Sequence, residues 1–231
     1  MSERLARRAG SVLVSVATAV TLLALAVLPF LLPAWVALAQ DRAEAAAWTG
    51  YTSAELRAAT DSILGDLVVG PPDFDVAVAG EPVLNDRERG HMRDVRAVFG
   101  GFALAALASV LVLVVAAARS GASAWRAARR GAVGLAVGIV AVGVIGIVAF
   151  ERAFEVFHQL FFASGSYTFD PRTERLVQLF PQRFWFETSI AVGVVALLLA
   201  AAVAMVATSR LRDTGRTPAT APVQGRLETA R

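Results

Sequence analysis

Residues 188–209 read TSIAVGVVALLLAAAVAMVATS, without one charged side chain. A helix of that length, rising about 1.5 Å per residue, covers the roughly 30 Å of hydrocarbon in a bilayer. In lipid every backbone N–H and C=O must be paired within the segment, so this run predicts a membrane-spanning helix. Upstream the pattern returns at 131–150, at 97–118 and at 9–40, each again uncharged. Hydrophobic residues make up 56% of the 231. The excess over an ordinary soluble globule sits in these blocks.

The expected fold is therefore all-α: an integral membrane protein with four transmembrane helices at about 11–39, 95–118, 131–150 and 188–209. Residues 1–209 make one membrane domain, with outer loops at 40–94 and 151–187. The tail at 210–231, rich in Thr, Pro, Ala and Arg, is expected to be disordered. Arg4, Arg7 and Arg8 ahead of an apolar stretch ending in Ala37-Leu38-Ala39 imitate a cleaved signal peptide. The uncharged run is too long for one, so the first span is read as retained. Pro29 and Pro33 are expected to kink its end.

Arginine placement orients the chain. All 22 basic residues are arginine. Residues 119–130 carry four arginines and no acid, and the segment before the first span has three against one glutamate. The tail has five against two acids. By contrast, residues 41–94 hold eleven acids to five arginines, and residues 151–187 hold five to four. Four spans with both termini in the cytoplasm satisfy all of these. The bias does not point to nucleic acid, because the arginines sit in the connections between spans. There is no cysteine, hence no disulfide, no thiol nucleophile, and no lipid-modified N-terminus of the chain's own.

The first outer loop is long enough to be structured. Thr52 and Glu55 have capping-box spacing, and Leu56, Ile63, Leu64 and Leu67 then recur at helical spacing. That predicts an amphipathic helix on the membrane or on the bundle, ended by Gly70-Pro71-Pro72. Alternation around Ala79-Gly80 predicts a small hairpin over 75–84. Gly134 and Gly138 in the third span have a spacing that lets helices approach closely. The aromatic run from Phe180 to Trp185 reads as an interfacial belt.

Two residues titrate naturally near neutral pH, His91 and His158. Both flank spans on the same predicted face. Asn85 can cap a helix with Glu88 three residues on, which puts Glu88, His91 and Asp94 on one face. A carboxylate there can orient the imidazole as a general base, or the segment is simply a solvated helix start. Phe150, Phe154, Phe157 and Phe161 form a helical stripe around His158. Such a stripe serves packing or lipid contact, and it also walls a site for acyl chains. Zinc lacks a ligand motif, and no span carries a charge in its middle as a channel would require.

Two segments resemble a known family, the bacterial lipoprotein intramolecular transacylases. The resemblance rests on Glu88-x-x-His91-Met92-x-Asp94-Val95 and on Phe157-His158-x-x-Phe161-Phe162-x-x-Gly165. It continues through Tyr167-x-Phe169-x-Pro171 and Leu176-x-x-Leu179-Phe180-Pro181-x-x-Phe184-Trp185. The chain departs from the family pattern at Tyr167, where a tryptophan is usual. The resemblance implies an acyl shift from the sn-2 ester of a diacylglyceryl-cysteine to the cysteine α-amino group. The substrate is then a diacylated lipoprotein in membrane lipid, at the outer face of the bacterial cytoplasmic membrane. It also implies a catalytic pair, His91 and His158.

Aminolysis of an ester needs a base for an α-ammonium of pKa about 7.7–8.0, an oxyanion donor and an acid for the leaving oxygen. Two imidazoles divide the proton transfers. His91 as base, oriented by Glu88 or Asp94, and His158 as acid is one assignment, and the reverse fits equally. Arg152 and Tyr167 are candidate oxyanion donors. No metal or other cofactor is called for. The rival readings are a membrane scaffold or transporter accessory subunit, and another acyl-lipid acyltransferase or hydrolase.

Overall fold

The computed structural model describes residues 2–119 and 121–214. Among them four helices are long and apolar enough to cross a membrane. The first, α1 (Ser2–Val27), runs into a short 3-10 turn at Leu28–Leu31. Leu32 is then extended (φ −76°, ψ 135°), as a residue before proline prefers, and Pro33 opens α2 (Pro33–Arg42). The expected proline kink is thus a full break. Ala37-Leu38-Ala39 lies inside α2, with Ala39 buried.

Beyond α2 come α3 (Ala45–Thr49), α4 (Ser53–Val68) and an antiparallel pair, β1 (Ala77–Val78) with β2 (Glu81–Pro82). Thr52 and Glu55 make the reciprocal capping box that opens α4. The hairpin turns through Ala79 and Gly80, at φ 52° and 84°. Two successive positive φ values are what a two-residue hairpin loop of this twist needs. The second span continues without a break from that region as α5 (Asp86–Ala118). Next are α6 (Ala122–Val148), α7 (Phe150–Phe161), α8 (Arg175–Leu179) and α9 (Gln182–Thr214). Helix therefore extends five residues past 209, and the rest of the expected tail, 215–231, lies outside the described residues.

In the bundle α1 packs against α5, α6 and α9, and α6 packs against α9. The backbones of α1 and α6 come close at Gly131, where a Cβ would lie 2.2 Å from the Ser15 carbonyl oxygen. Ser15 Oγ donates to the Ala127 carbonyl beside it, at 2.9 Å. Gly134 and Gly138, expected to serve this purpose, have open space where a Cβ would be. Gly138 lies about 20° round the helix from Gly131, so the close approach is confined to one level.

The best-packed part of the molecule is a cap at one end of the bundle. Its core joins Val36 and Ala39 of α2, Leu56 and Ile63 of α4, Phe74 and Val83 around the hairpin, and Met92 of α5. Leu176, Leu179, Phe180 and Phe184 close it. The amphipathic α4 therefore turns its apolar side into the cap. Phe180 and Phe184, read as belt residues, are cap core instead, while Trp185 stays exposed. At the centre Gln40, 1% exposed, donates from Nε2 to Thr60 Oγ1 and to the Leu179 carbonyl, each at 3.0 Å. That amide ties α2, α4 and α8 together without leaving a buried donor unpaired.

Candidate active site

His91 stands on the second turn of α5, and that turn is fixed by its neighbours. Asn85 accepts the backbone N–H groups of Arg87 and Glu88, and Glu88 accepts the Asn85 N–H at 2.7 Å. This is the capping box read from the sequence. The other Glu88 oxygen accepts the Leu176 N–H, at 2.7 Å, across the chain. Both oxygens of this buried carboxylate thus pin the cap to α5, and neither bonds the imidazole. Asp94 is exposed and acts on His91 through its charge alone.

His158 arrives on α7. The α6 helix breaks at Ala149 (φ −137°, ψ 49°), and the chain sets off again as α7. The two imidazoles end 6.0 Å apart, centre to centre, with planes 23° from parallel. His91 is 6% exposed, and its Nδ1 is buried with no hydrogen-bond partner among the described residues. His158 is half-buried, and its Nδ1 lies 2.8 Å from the Phe154 carbonyl oxygen. A carbonyl only accepts, so Nδ1 carries the proton and Nε2 of the neutral ring keeps its lone pair. Burial holds His158 below the ordinary imidazole value, against the opposing pull of the Phe154 carbonyl.

Aromatic rings surround the pair. Phe162 touches both, at 4.8 Å from His91 and 5.4 Å from His158. Phe169 lies 5.5 Å from His91, and Tyr167 lies 5.2 Å from His158. Within the predicted stripe, Phe154 and Phe157 reach His158 at 4.2 and 5.5 Å. Phe150 packs on Phe186 and Phe161 on Phe157. Of the candidate residues, the structure brings together His91, His158 and Tyr167. It does not bring Arg152, which pairs with Glu155 at 2.7 Å and lines a separate cleft of about 610 Å³ with Phe150, Gln182 and Phe186. Six residues along α7 from His158, Arg152 sits about 240° round the helix from it.

Sequence reasoning left Phe162 without a role, although it lies in the quoted motif. Its double contact comes from the chain leaving α7 just there, which no periodicity signals. Arg87 and Glu174 were also passed over. Among the described residues no group of three or more His, Cys, Asp or Glu side chains is placed to hold a metal.

Fold and site define a multi-pass membrane protein with a facing pair of histidines at the capped end of its bundle. The family model described as lipoprotein intramolecular transacylase Lit matches residues 12–185. That is most of the chain, and the chain belongs to this acyltransferase family. It is similar to the solved membrane-integral lipoprotein intramolecular transacylase Lit from Bacillus cereus, with a TM-score of 0.76 at 16% identity over 91% of this chain and 98% of that one. A structure of the same Bacillus cereus protein with one histidine replaced by arginine gives a TM-score of 0.72 at 16% identity, over 94% and 96% of the two chains. Replacement by alanine gives 0.72 at 16%, over 93% and 98%. No curated protein sequence matches the chain.

Proposed function

We propose that this protein moves an acyl chain from the sn-2 ester of a diacylglyceryl-cysteine to the α-amino group of the same cysteine. The substrate is a diacylated lipoprotein, and the reaction takes place at the extracytoplasmic side of the bacterial cytoplasmic membrane. The observation that carries this reading is the meeting of His91 and His158, 6.0 Å apart, within a wall of phenylalanines. The wall suits an acyl chain, and the rings are near enough to act on one reacting group.

The Nδ1–H bond of His158 to Phe154 favours His158 as the base, with Nε2 turned to the substrate. His91, whose pKa burial and the facing His158 push down to about 4, is neutral at the outset and acts as the acid once it has taken up the second proton released by the substrate nitrogen. The base takes a proton from the α-ammonium, and the freed nitrogen attacks the ester carbonyl carbon. The tetrahedral intermediate loses a second proton from nitrogen, and the carbon–oxygen bond to the glyceryl carbon's oxygen breaks. One proton finishes on that oxygen and the other in water, so atoms and charge balance. In this reading Tyr167, whose ring lies 5.2 Å from that of His158, supplies the donor to the oxyanion. Ester to amide runs downhill, which removes the need for an activated donor. Nucleophile and electrophile belong to one molecule, so most of the gain comes from holding them together, where effective molarities reach about 10⁵–10⁸ M.

The test is mass spectrometry of a lipoprotein's N-terminal peptide from cells that make only diacylglyceryl lipoproteins, with and without this protein. Unchanged total mass with one acyl chain on the amine is expected. An unmoved chain beside well-expressed protein would turn attention to phospholipid substrates.

A further inference from the structure

The strap at 162–174 carries three rings against the two histidines: Phe162, Tyr167 and Phe169. His158 makes its own hydrogen bond within α7, and among the described residues of α7 none is buried. Phe150 on Phe186 and Phe154 near Trp185 hold α7 to α9, but the rings that face His158 from outside its own helix and outside α5 come from the strap, which thereby sets its station opposite His91. The strap in turn is tied to the first turn of α5, one turn below His91. Arg87 donates from Nη1 to the Thr168 carbonyl at 2.7 Å and from Nη2 to Glu174 Oε1 at 2.5 Å. The same guanidinium lies over the Phe169 ring, 4.8 Å from its centre. Glu174, buried, accepts the Asp170 N–H on Oε2 at 2.6 Å and the Asn85 amide on Oε1 at 3.4 Å.

We propose that Arg87 and Glu174 are positioning residues for the acyl transfer, forming a latch that holds the strap, and through it His158, at working distance from His91. This rests on the acyl-transfer reading above. The fork of arginine is what the geometry requires: two donors reach the Thr168 carbonyl and the Glu174 carboxylate at once while the plane covers Phe169. A lysine ammonium reaches one of them. Burial pushes the Glu174 carboxyl up, yet Arg87, the Asp170 N–H and Asn85 together hold it below the usual carboxylate range, so the latch is charged at neutral pH.

The experiment uses the full chain in lipid nanodiscs with a synthetic diacylglyceryl lipopeptide. Glu174→Gln and Arg87→Ala should lower kcat about 10- to 100-fold, the scale of a misplacement near 1 Å, with KM little changed. Arg87→Lys should fall between. Because the Arg87 side chain is 48% exposed, millimolar guanidinium should restore part of the Arg87→Ala rate. Arg172→Ala, an exposed strap cation bound to Asp170, should leave the rate unchanged. In parallel, NMR of the His158 ring in Glu174→Gln should lose the ring-current shifts caused by Tyr167, whatever the activity. Full activity and unchanged His158 shifts in Glu174→Gln would overturn the latch, as would loss through KM alone. If Arg87→Ala does not fold, Glu174→Gln and Arg87→Lys decide. An inactive wild type would instead remove the acyl-transfer reading, with the NMR arm still judging the latch.

Discussion

His158 and His91 sit in unlike surroundings, and that difference carries the chemistry. One ring has its Nδ1 proton committed to a carbonyl, and the other has its Nδ1 buried without a partner among the described residues. Replacing either histidine with alanine should cost about 10²–10⁴ in rate, the worth of a positioned proton carrier. The check is the rate of acyl migration in protein that still inserts. The pH dependence follows from burial. A base works while neutral, and burial holds His158 below its ordinary value of about 6.5. Its neutral form should thus persist to lower pH than for a free imidazole. A ring-nitrogen NMR titration should show a midpoint below about 6.5. A midpoint at or above it would mean a hydrated, unwalled ring.

At the level of elements, contact geometry separates glycines that look alike in sequence. Gly131→Ala drives a Cβ against the Ser15 carbonyl, and overpacking of this kind costs about 1–3 kcal/mol. Gly134→Ala meets open space and should be neutral or slightly favourable. Thermal unfolding of the two variants in detergent should separate them. In the cap, Ile63→Ala empties a site 1% exposed and should cost about 2–5 kcal/mol by the same assay. The sequence announced what is local: four spans, two capping boxes, the hairpin at Ala79-Gly80 and the stripe that became α7. It concealed what is settled across distance. No proline stands near Ala149, and Gly146, three residues before it, lies inside α6 like the other glycines of that span, so nothing in the sequence singles out the break. Glu174 is 86 positions beyond Glu88 (174 − 88), yet both serve the first turn of α5. Phe180 and Phe184 carry an aromatic signature that fits a belt and a core equally, and only the packing of the cap decides between them.

The whole molecule places its cap at one end of the bundle, and our proposal, from the arginine distribution, is that this end faces outside. The lack of native cysteine makes a direct test simple. A cysteine at the exposed Ser62, in α4, should react with an impermeant maleimide added to intact cells, and one at Ser123, in α6, should not. The reverse labelling would invert the topology and put the histidines in the cytoplasm.

The cap is drawn from two stretches of chain separated by two spans. The core around Met92 is completed by Leu176, Leu179, Phe180 and Phe184. Synthesis adds about 5–20 residues per second, so Phe184 follows His91 by roughly 5–20 s. For that interval the newborn protein carries an apolar hollow where α8 will dock, and the Glu88 oxygen destined for Leu176 has only solvent to turn to. The enzyme is therefore finished late, at the moment its fourth span begins. A chain truncated before that point would own both histidines and still have no completed cap to hold them.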